Sequence, residues 1–231
     1  IAAIGVIRLL PWFAPNTAPI VVDRPAVTRT IVGLLVCAVA FPVVVGIADI
    51  SGSEWYFLAK IGLLIVVPGI IVLVYPRSIS VMQPTRAWQW WPPLLVVAVW
   101  TVLSKVTPWV PATDFGQVDP IFLIVVATLT ALTAGVGEEI FYRWWLQTRL
   151  EALLGQWGGI VVASLFFALM HLGGERQGSG VLVEIAAVIV VQGSFGLMLG
   201  YMWSKYRNLW VVILAHIIAN GYGVVEFLLR G

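Results

Sequence analysis

Two adjacent acids and both histidines of the chain stand in strongly apolar surroundings. Glu138 and Glu139 lie within a long helical pattern, and His171 and His216 lie well inside later apolar runs. Ionisable side chains at membrane depth are costly, so they are treated as functional candidates. A carboxylate beside an imidazole can take the proton of water, and an imidazolium can stabilise developing negative charge. These four residues are therefore candidates for acid–base chemistry.

The two glutamates differ in the partner that their own helix offers. Glu139 and Arg143 are four residues apart, which places them on one helical face with the acid on the favourable N-terminal side. We therefore expect an ion pair between them. Glu138 points away from Arg143 and has no such partner on its helix. A carboxylate without an ionic partner suits proton transfer.

Spacing along the chain predicts where the histidines lie. The turn after the acidic helix centres near Gln156. Counting as many residues beyond Gln156 as separate it from Glu138 and Glu139 leads to positions within one helical turn of His171. A helical hairpin therefore places His171 level with the acids. Phe167 shares the face of His171 at a spacing of four residues.

The same spacing recurs in the last apolar run. His216 and Asn220 are four residues apart, so both side chains project toward one partner. With Glu138 and His171, they predict one site built from several helices.

The composition of the chain indicates a polytopic membrane protein, whose helices must position these residues. Hydrophobic residues make up 61% of the 231 residues and charged residues 10%, with a mean hydropathy of +1.00. Ordinary soluble domains have about 45–50% apolar and about 25% charged residues. A net charge of +2 provides no basic surface for nucleic acid, and the single cysteine, Cys37, excludes an internal disulfide.

The fold class predicted is an all-α, polytopic transmembrane helical bundle of about seven spans. A bilayer core of about 30 Å requires roughly 20 apolar residues per helix. Such runs lie at about 30–50, 55–75, 92–110, 118–137, 158–174, 180–203 and 209–229, and the fourth continues as a helix to about Leu154. We divide the chain into an N-terminal interfacial segment, three N-terminal transmembrane helices and a helical core, at residues 1–28, 29–117 and 118–231.

Basic residues in loops predict a cytoplasmic N-terminus and an outside C-terminus. We expect the membrane to be a bacterial plasma membrane. Two lysines inside spans, Lys60 and Lys105, are expected near the outer helix ends, where their side chains can reach the membrane surface. The inner side collects Arg8, Arg24, Arg29, Arg77, Arg86, Arg143, Arg149, Lys205 and Arg207, and the outer side Arg176 and Arg230.

Three motifs occur in order along the predicted helices: Glu138-Glu139-x-x-x-Arg143, Phe167-x-x-x-His171 and His216-x-x-x-Asn220. Together they resemble the motifs of the CPBP intramembrane proteases, also called the CAAX-processing or Abi family. Each motif alone is a weak signal, whereas all three in order are specific. The resemblance covers roughly residues 130–225.

The resemblance implies an intramembrane endopeptidase that acts on a membrane-embedded or membrane-associated protein or peptide. Glu138 and His171 would then activate the attacking water, and His216 and Asn220 would hold the oxyanion of the tetrahedral intermediate. In supporting roles, Glu139, Arg143 and Phe167 would shape the site.

The cofactor requirement stays open at this stage. A zinc ion could be held by Glu138, His171 and His216 with one open position, although a metal-free site is slightly preferred. No H-E-x-x-H motif is present. The four aspartates fall at span edges or in loops, which disfavours an aspartyl dyad: Asp23, Asp49, Asp114 and Asp119.

Two other functions are compatible with the sequence. One is a proteolytically silent scaffold of the same fold, or a partner subunit of a larger membrane complex. The other is a transporter with a proton relay, which is disfavoured because the polar residues cluster in one pocket rather than along a path across the membrane.

Overall fold

The structure is a computed structural model that describes residues 2–10, 18–81, 86–107, 114–173 and 180–230. Helices dominate this part of the chain. The elements are α1 (Ala2–Leu9), β1 (Ile20–Val21), α2 (Arg24–Ala48), α3 (Glu54–Val74), β2 (Ile79–Ser80), α4 (Arg86–Thr101), α5 (120–154), α6 (156–169), α7 (Val181–Tyr206) and α8 (Leu209–Arg230). Several helices contain π-helical segments: Gly62–Val66, Val102–Val106, Ala131–Glu138, Ile140–Gln147 and Ile189–Gly193.

The predicted all-α membrane bundle is confirmed. Five helical stretches in the described residues are long and apolar enough to cross a bilayer: Arg24–Ala48, Glu54–Val74, Pro120–Leu172, Val181–Tyr206 and Leu209–Leu229. A shorter apolar helix spans Trp90–Val106. The stretch Pro120–Leu172 has 53 residues, far more than one crossing requires.

That long stretch turns back on itself at Gly155, so it forms two arms, α5 and α6. Gly155 has a φ of 76°, which L side chains rarely adopt. Beyond the turn, a Cβ placed on Gly159 would lie only 2.5 Å from the backbone nitrogen of Glu151. This contact between residues eight positions apart is impossible in a continuous helix. The hairpin predicted near Gln156 is therefore confirmed.

Aspartates begin or end several of these helices. The Asp23 carboxylate accepts a hydrogen bond from the backbone N–H of Ala26 at 3.0 Å, and Asp119 accepts one from Phe122 at 2.9 Å. Asp49 ends α2 in the left-handed region. These three residues are therefore helix caps, as their predicted positions at span edges imply.

The interior of the bundle lies where α2 meets the hairpin. Leu34 and Phe41 of α2 pack in one apolar cluster with Phe141 of α5 and Phe167 of α6, and none of the four is more than 1% exposed. Apolar side chains on the outer surfaces of α2, α3, α5 and α7 are exposed, as expected for helices that face lipid.

The N-terminal region packs onto the bundle. α1 buries Ala3 and Ile7 against α4 and α7, and β1 pairs antiparallel with β2. Residues 11–17 of the predicted interfacial segment lie outside the described residues, so the assignment of 1–28 to an interface stays a prediction.

The assignment of three arginines to cytoplasmic loops was wrong. Arg143, Arg149 and Arg207 are each at most 5% exposed and lie inside the protein rather than in a cytoplasmic loop. The predicted pair with Glu139 already indicated the burial of Arg143, whereas nothing in the sequence indicated it for Arg149 and Arg207. Arg176 and the side chains of Arg86 and Arg230 lie outside the described part of the structure.

Candidate active site

Two glycines on α5 allow other helices to approach the acidic pair closely. A Cβ on Gly135 would lie 2.5 Å from Cγ1 of Ile217, the neighbour of His216 on α8. A Cβ on Gly137 would lie 3.2 Å from Cδ1 of Ile65 on α3. Because both glycines lack a side chain, α8 and α3 pack directly onto the part of α5 that carries the glutamates.

The approach of α3 brings a lysine to Glu138. The Nζ atom of Lys60 lies 2.6 Å from Oε1 of Glu138, and both side chains are almost completely buried. The expected position of Lys60 near the outer membrane surface is therefore wrong, because its ammonium group is paired inside the bundle. Glu138 consequently has an ionic partner after all, supplied by another helix.

The second oxygen of Glu138 remains available. Oε2 is buried and has no hydrogen-bond partner among the described residues. It faces Nε2 of His216 at 3.9 Å. A buried acceptor without a partner is uncommon in proteins and calls for an explanation, such as a bound water or a catalytic role.

Glu139 has two partners of its own. Its Oε2 lies 3.2 Å from Nε of Arg143, so the predicted ion pair is confirmed. Its Oε1 accepts a 2.6 Å hydrogen bond from Nδ1 of His216. The guanidinium group of Arg143 also stacks over the ring of Phe167 at 4.6 Å from the centroid.

Aromatic rings enclose the imidazole of His216. The ring of Phe167 lies edge-on at 5.8 Å and the ring of Phe195 at 5.4 Å. His216 itself is 3% exposed. With Nδ1 held by Glu139, the ring presents Nε2 to Glu138 in a site that is shielded from solvent.

His171 lies at the end of α6 and is only partly buried. Its Nδ1 lies 2.8 Å from the backbone carbonyl oxygen of Phe167, which can only accept. The proton is therefore assigned to Nδ1, which leaves the lone pair on Nε2. The ring of Phe167 contacts both imidazoles, with centroid distances of 5.2 Å to His171 and 5.8 Å to His216.

Asn220 lies one turn beyond His216 but faces a different space. Its side chain is exposed and lines a cavity of about 290 Å³ together with Lys105, Gln192 and Phe195. Phe195 thus contacts both this cavity and His216. The structure brings Glu138, Glu139, Arg143, Phe167 and His216 together, whereas Asn220 borders the neighbouring cavity.

Two of the three side chains predicted as zinc ligands, Glu138 and His216, have other partners in the structure. No group of three His, Cys, Asp or Glu side chains in the described ranges is placed to hold a metal ion. In addition, Lys60 occupies one oxygen of Glu138, and Glu139 holds Nδ1 of His216. A cation beside a ligand carboxylate opposes the binding of a second cation.

Sequence reasoning did not identify Lys60 or Phe195 as site residues. The signal for Lys60 was present, since a lysine within an apolar run is costly unless it has a partner. Its partner could not be identified, because the sequence does not show which face of α3 packs against α5. Phe195 carried no such signal among the many apolar residues of α7.

A second buried polar cluster joins the hairpin to the connection between α7 and α8. Gln147 donates hydrogen bonds of 2.7 Å to Oε1 of Glu151 and to the carbonyl of Gly200. The other carboxylate oxygen of Glu151 pairs with Arg207. Glu151 and Arg207 are each 4% exposed. This cluster fixes the end of the hairpin.

Comparison with known proteins gives one match. Residues 120–222 match the family model described as type II CAAX prenyl endopeptidase Rce1-like. The matched region includes α5, α6, α7 and most of α8, and it contains all three motifs. No curated protein and no solved structure matches the chain.

Proposed function

We propose that this protein, whose residues 120–222 match the Rce1-like family model of type II CAAX prenyl endopeptidases, hydrolyses a peptide bond of a membrane-embedded or membrane-associated substrate. The observation that carries the proposal is the free Oε2 of Glu138 beside Nε2 of His216. A carboxylate oxygen in this position is suited to hold and activate a water molecule.

The first step is the attack of water on the scissile carbonyl carbon. Glu138 accepts a proton from the water as the new C–O bond forms, and His171 assists through the lone pair on Nε2. The proton then passes to the nitrogen of the leaving amine as the C–N bond breaks. Glu139 orients His216 through Nδ1, much as an acid orients the histidine of a catalytic triad.

The negative charge on the carbonyl oxygen requires donors. In the proposed mechanism, Nε2–H of protonated His216 and the side-chain amide of Asn220 donate to it. Asn220 lines the cavity of about 290 Å³, and Phe195 contacts both this cavity and His216, so the mechanism requires a bound carbonyl to reach His216 past the ring of Phe195. The cation of Arg143 balances the charge of Glu139 during these steps.

The experiment that tests the function is a cleavage assay with the purified full chain in liposomes. The panel contains prenylated C-terminal peptides, the same peptides without the prenyl group, and transmembrane peptides. We expect cleavage of at least one class, lost in Glu138→Gln and retained in the control Glu54→Gln, whose side chain is exposed at the start of α3.

The same assay addresses the cofactor and the alternative function. We expect chelators to leave the activity unchanged, whereas activity lost to chelator and restored by added zinc would contradict the metal-free mechanism. If the wild-type chain cleaves none of the peptides but co-purifies with other membrane proteins in fixed proportion, the scaffold or partner-subunit hypothesis replaces the protease.

A further inference from the structure

We propose that Lys60 is a positioning residue of the active site, which holds the Glu138 carboxylate in its ionised form and directs the free oxygen toward the substrate. The inference rests on the proposed hydrolysis and adds a residue that no motif contains. Lys60 lies outside the matched region 120–222.

The geometry of the pair is specific. One oxygen of Glu138 is engaged by Nζ of Lys60 at 2.6 Å, and the other faces His216 at 3.9 Å. The ammonium group also lies 5.1 Å from the ring centroid of Tyr56, one turn earlier on α3. With one oxygen held, the carboxylate cannot rotate freely, and the second oxygen keeps a fixed direction.

The contact with Lys60 keeps Glu138 able to accept a proton from water. An isolated carboxylate buried in an apolar bundle tends to take up a proton, and a protonated carboxyl group cannot accept one from water. A lysine in direct contact maintains the negative charge without occupying both oxygens. Burial of a lysine is itself costly, and its direct contact with Glu138 gives this placement a functional reason.

The position of Lys60 is also fixed by the backbone. α3 can approach α5 because Gly137 has no side chain, and Ile65, five residues after Lys60, lies at this contact. The helices before residue 120 therefore contribute a charged group to the active site, and the matched region is incomplete without them.

The kinetic test compares Lys60→Met and Lys60→Arg with the control Lys205→Met, a lysine at the end of α7 outside the site. We expect Lys60→Met to lower kcat about 10²-fold, at the lower end of what a general base contributes, with KM little changed. Lys60→Arg should restore most of kcat because it retains the cation. Wild-type kcat in Lys60→Met, or no recovery in Lys60→Arg, would overturn the positioning role.

A stability test separates this inference from the proposed function. Lys60→Met and Glu138→Gln each leave one buried charge without a partner, so each should lower the melting temperature. The double variant removes both charges and should melt higher than either single variant. Additive losses would overturn the direct pair whatever the activity. Coupled losses in a chain that cleaves no peptide would support the pair while contradicting both the protease and the positioning of a catalytic acid.

Discussion

Nδ1 of His216 lies 2.6 Å from Oε1 of Glu139, although the two residues are 77 positions apart in the chain. This bond decides the orientation of the imidazole and turns Nε2 toward Glu138. The adjacent glutamates therefore have different surroundings. Glu139 binds Arg143 and His216, whereas Glu138 binds Lys60 and retains one free oxygen.

Glu139→Gln should reduce both stability and activity. Arg143 is fully buried and would lose its anion, and breaking a buried pair in this way costs about 3–5 kcal/mol. His216 would also lose the acceptor that orients it. The free energy of unfolding and kcat are measured on the same preparations, with Glu54→Gln as the control. Unchanged stability would contradict the role of the Glu139–Arg143 pair.

Asn220→Ala should lower kcat by about 10²–10³ with little change in KM, as expected when one oxyanion donor is removed. His216→Ala should have a similar effect, and the double variant should lose much less than the product of the two, since both serve one charge. Steady-state kinetics of the three variants checks this. Full activity in Asn220→Ala would exclude the proposed donor.

Gly135→Ala should push α8 away from the acids, because the new Cβ would lie 2.5 Å from Cγ1 of Ile217. We expect a lower melting temperature and a lower kcat. Shortening the partner in Gly135→Ala/Ile217→Ala should recover part of both. The control is Gly221→Ala on α8, where a Cβ meets no atom within 4 Å. Equal behaviour of Gly135→Ala and Gly221→Ala would show that the contact is not restrictive.

Arg207→Met should destabilise the protein without changing the chemistry of the site. Glu151 would lose its cation in a buried position, with a cost of about 3–5 kcal/mol. We expect a lower melting temperature and an unchanged kcat per folded molecule, whereas Lys205→Met should alter neither. A large loss of kcat in folded Arg207→Met would assign this cluster a part in catalysis.

Cysteine labelling tests the predicted orientation. Ser80 and Asp114 are both exposed and lie at opposite ends of the segment that contains α4. In a Cys37→Ser background, Ser80→Cys should label from the cytoplasmic side and Asp114→Cys from the outside. Labelling of both from one side would contradict the arrangement with about seven spans.

The sequence was most informative about features within one helix or one hairpin. The apolar runs predicted the spans, and the spacing of four residues predicted the Glu139–Arg143 pair. The turn near Gln156 followed from the distance between two apolar segments. These features form between residues that are close in the sequence, so the local geometry of a helix or a turn is sufficient to predict them.

Contacts between distant helices were not predictable in the same way. The Lys60–Glu138 pair depends on which face of α3 meets α5. The sequence predicts a loop position for Arg207, whereas the structure buries it against Glu151. A lysine in an apolar run is compatible with either a surface position or an internal partner. Only the packing of the helices distinguishes these cases.

The order of the site residues along the chain also affects the timing of biosynthesis. Lys60 is synthesised first, the hairpin with Glu138 and His171 follows, and His216 comes later on α8. At about 5–20 residues per second, several seconds separate the emergence of Glu138 and His216 from the ribosome. Until α8 inserts and packs against Gly135, the nascent chain lacks one imidazole of the site. With the proposed mechanism, hydrolysis would therefore begin only after the last helix has packed, several seconds after the acids have been synthesised.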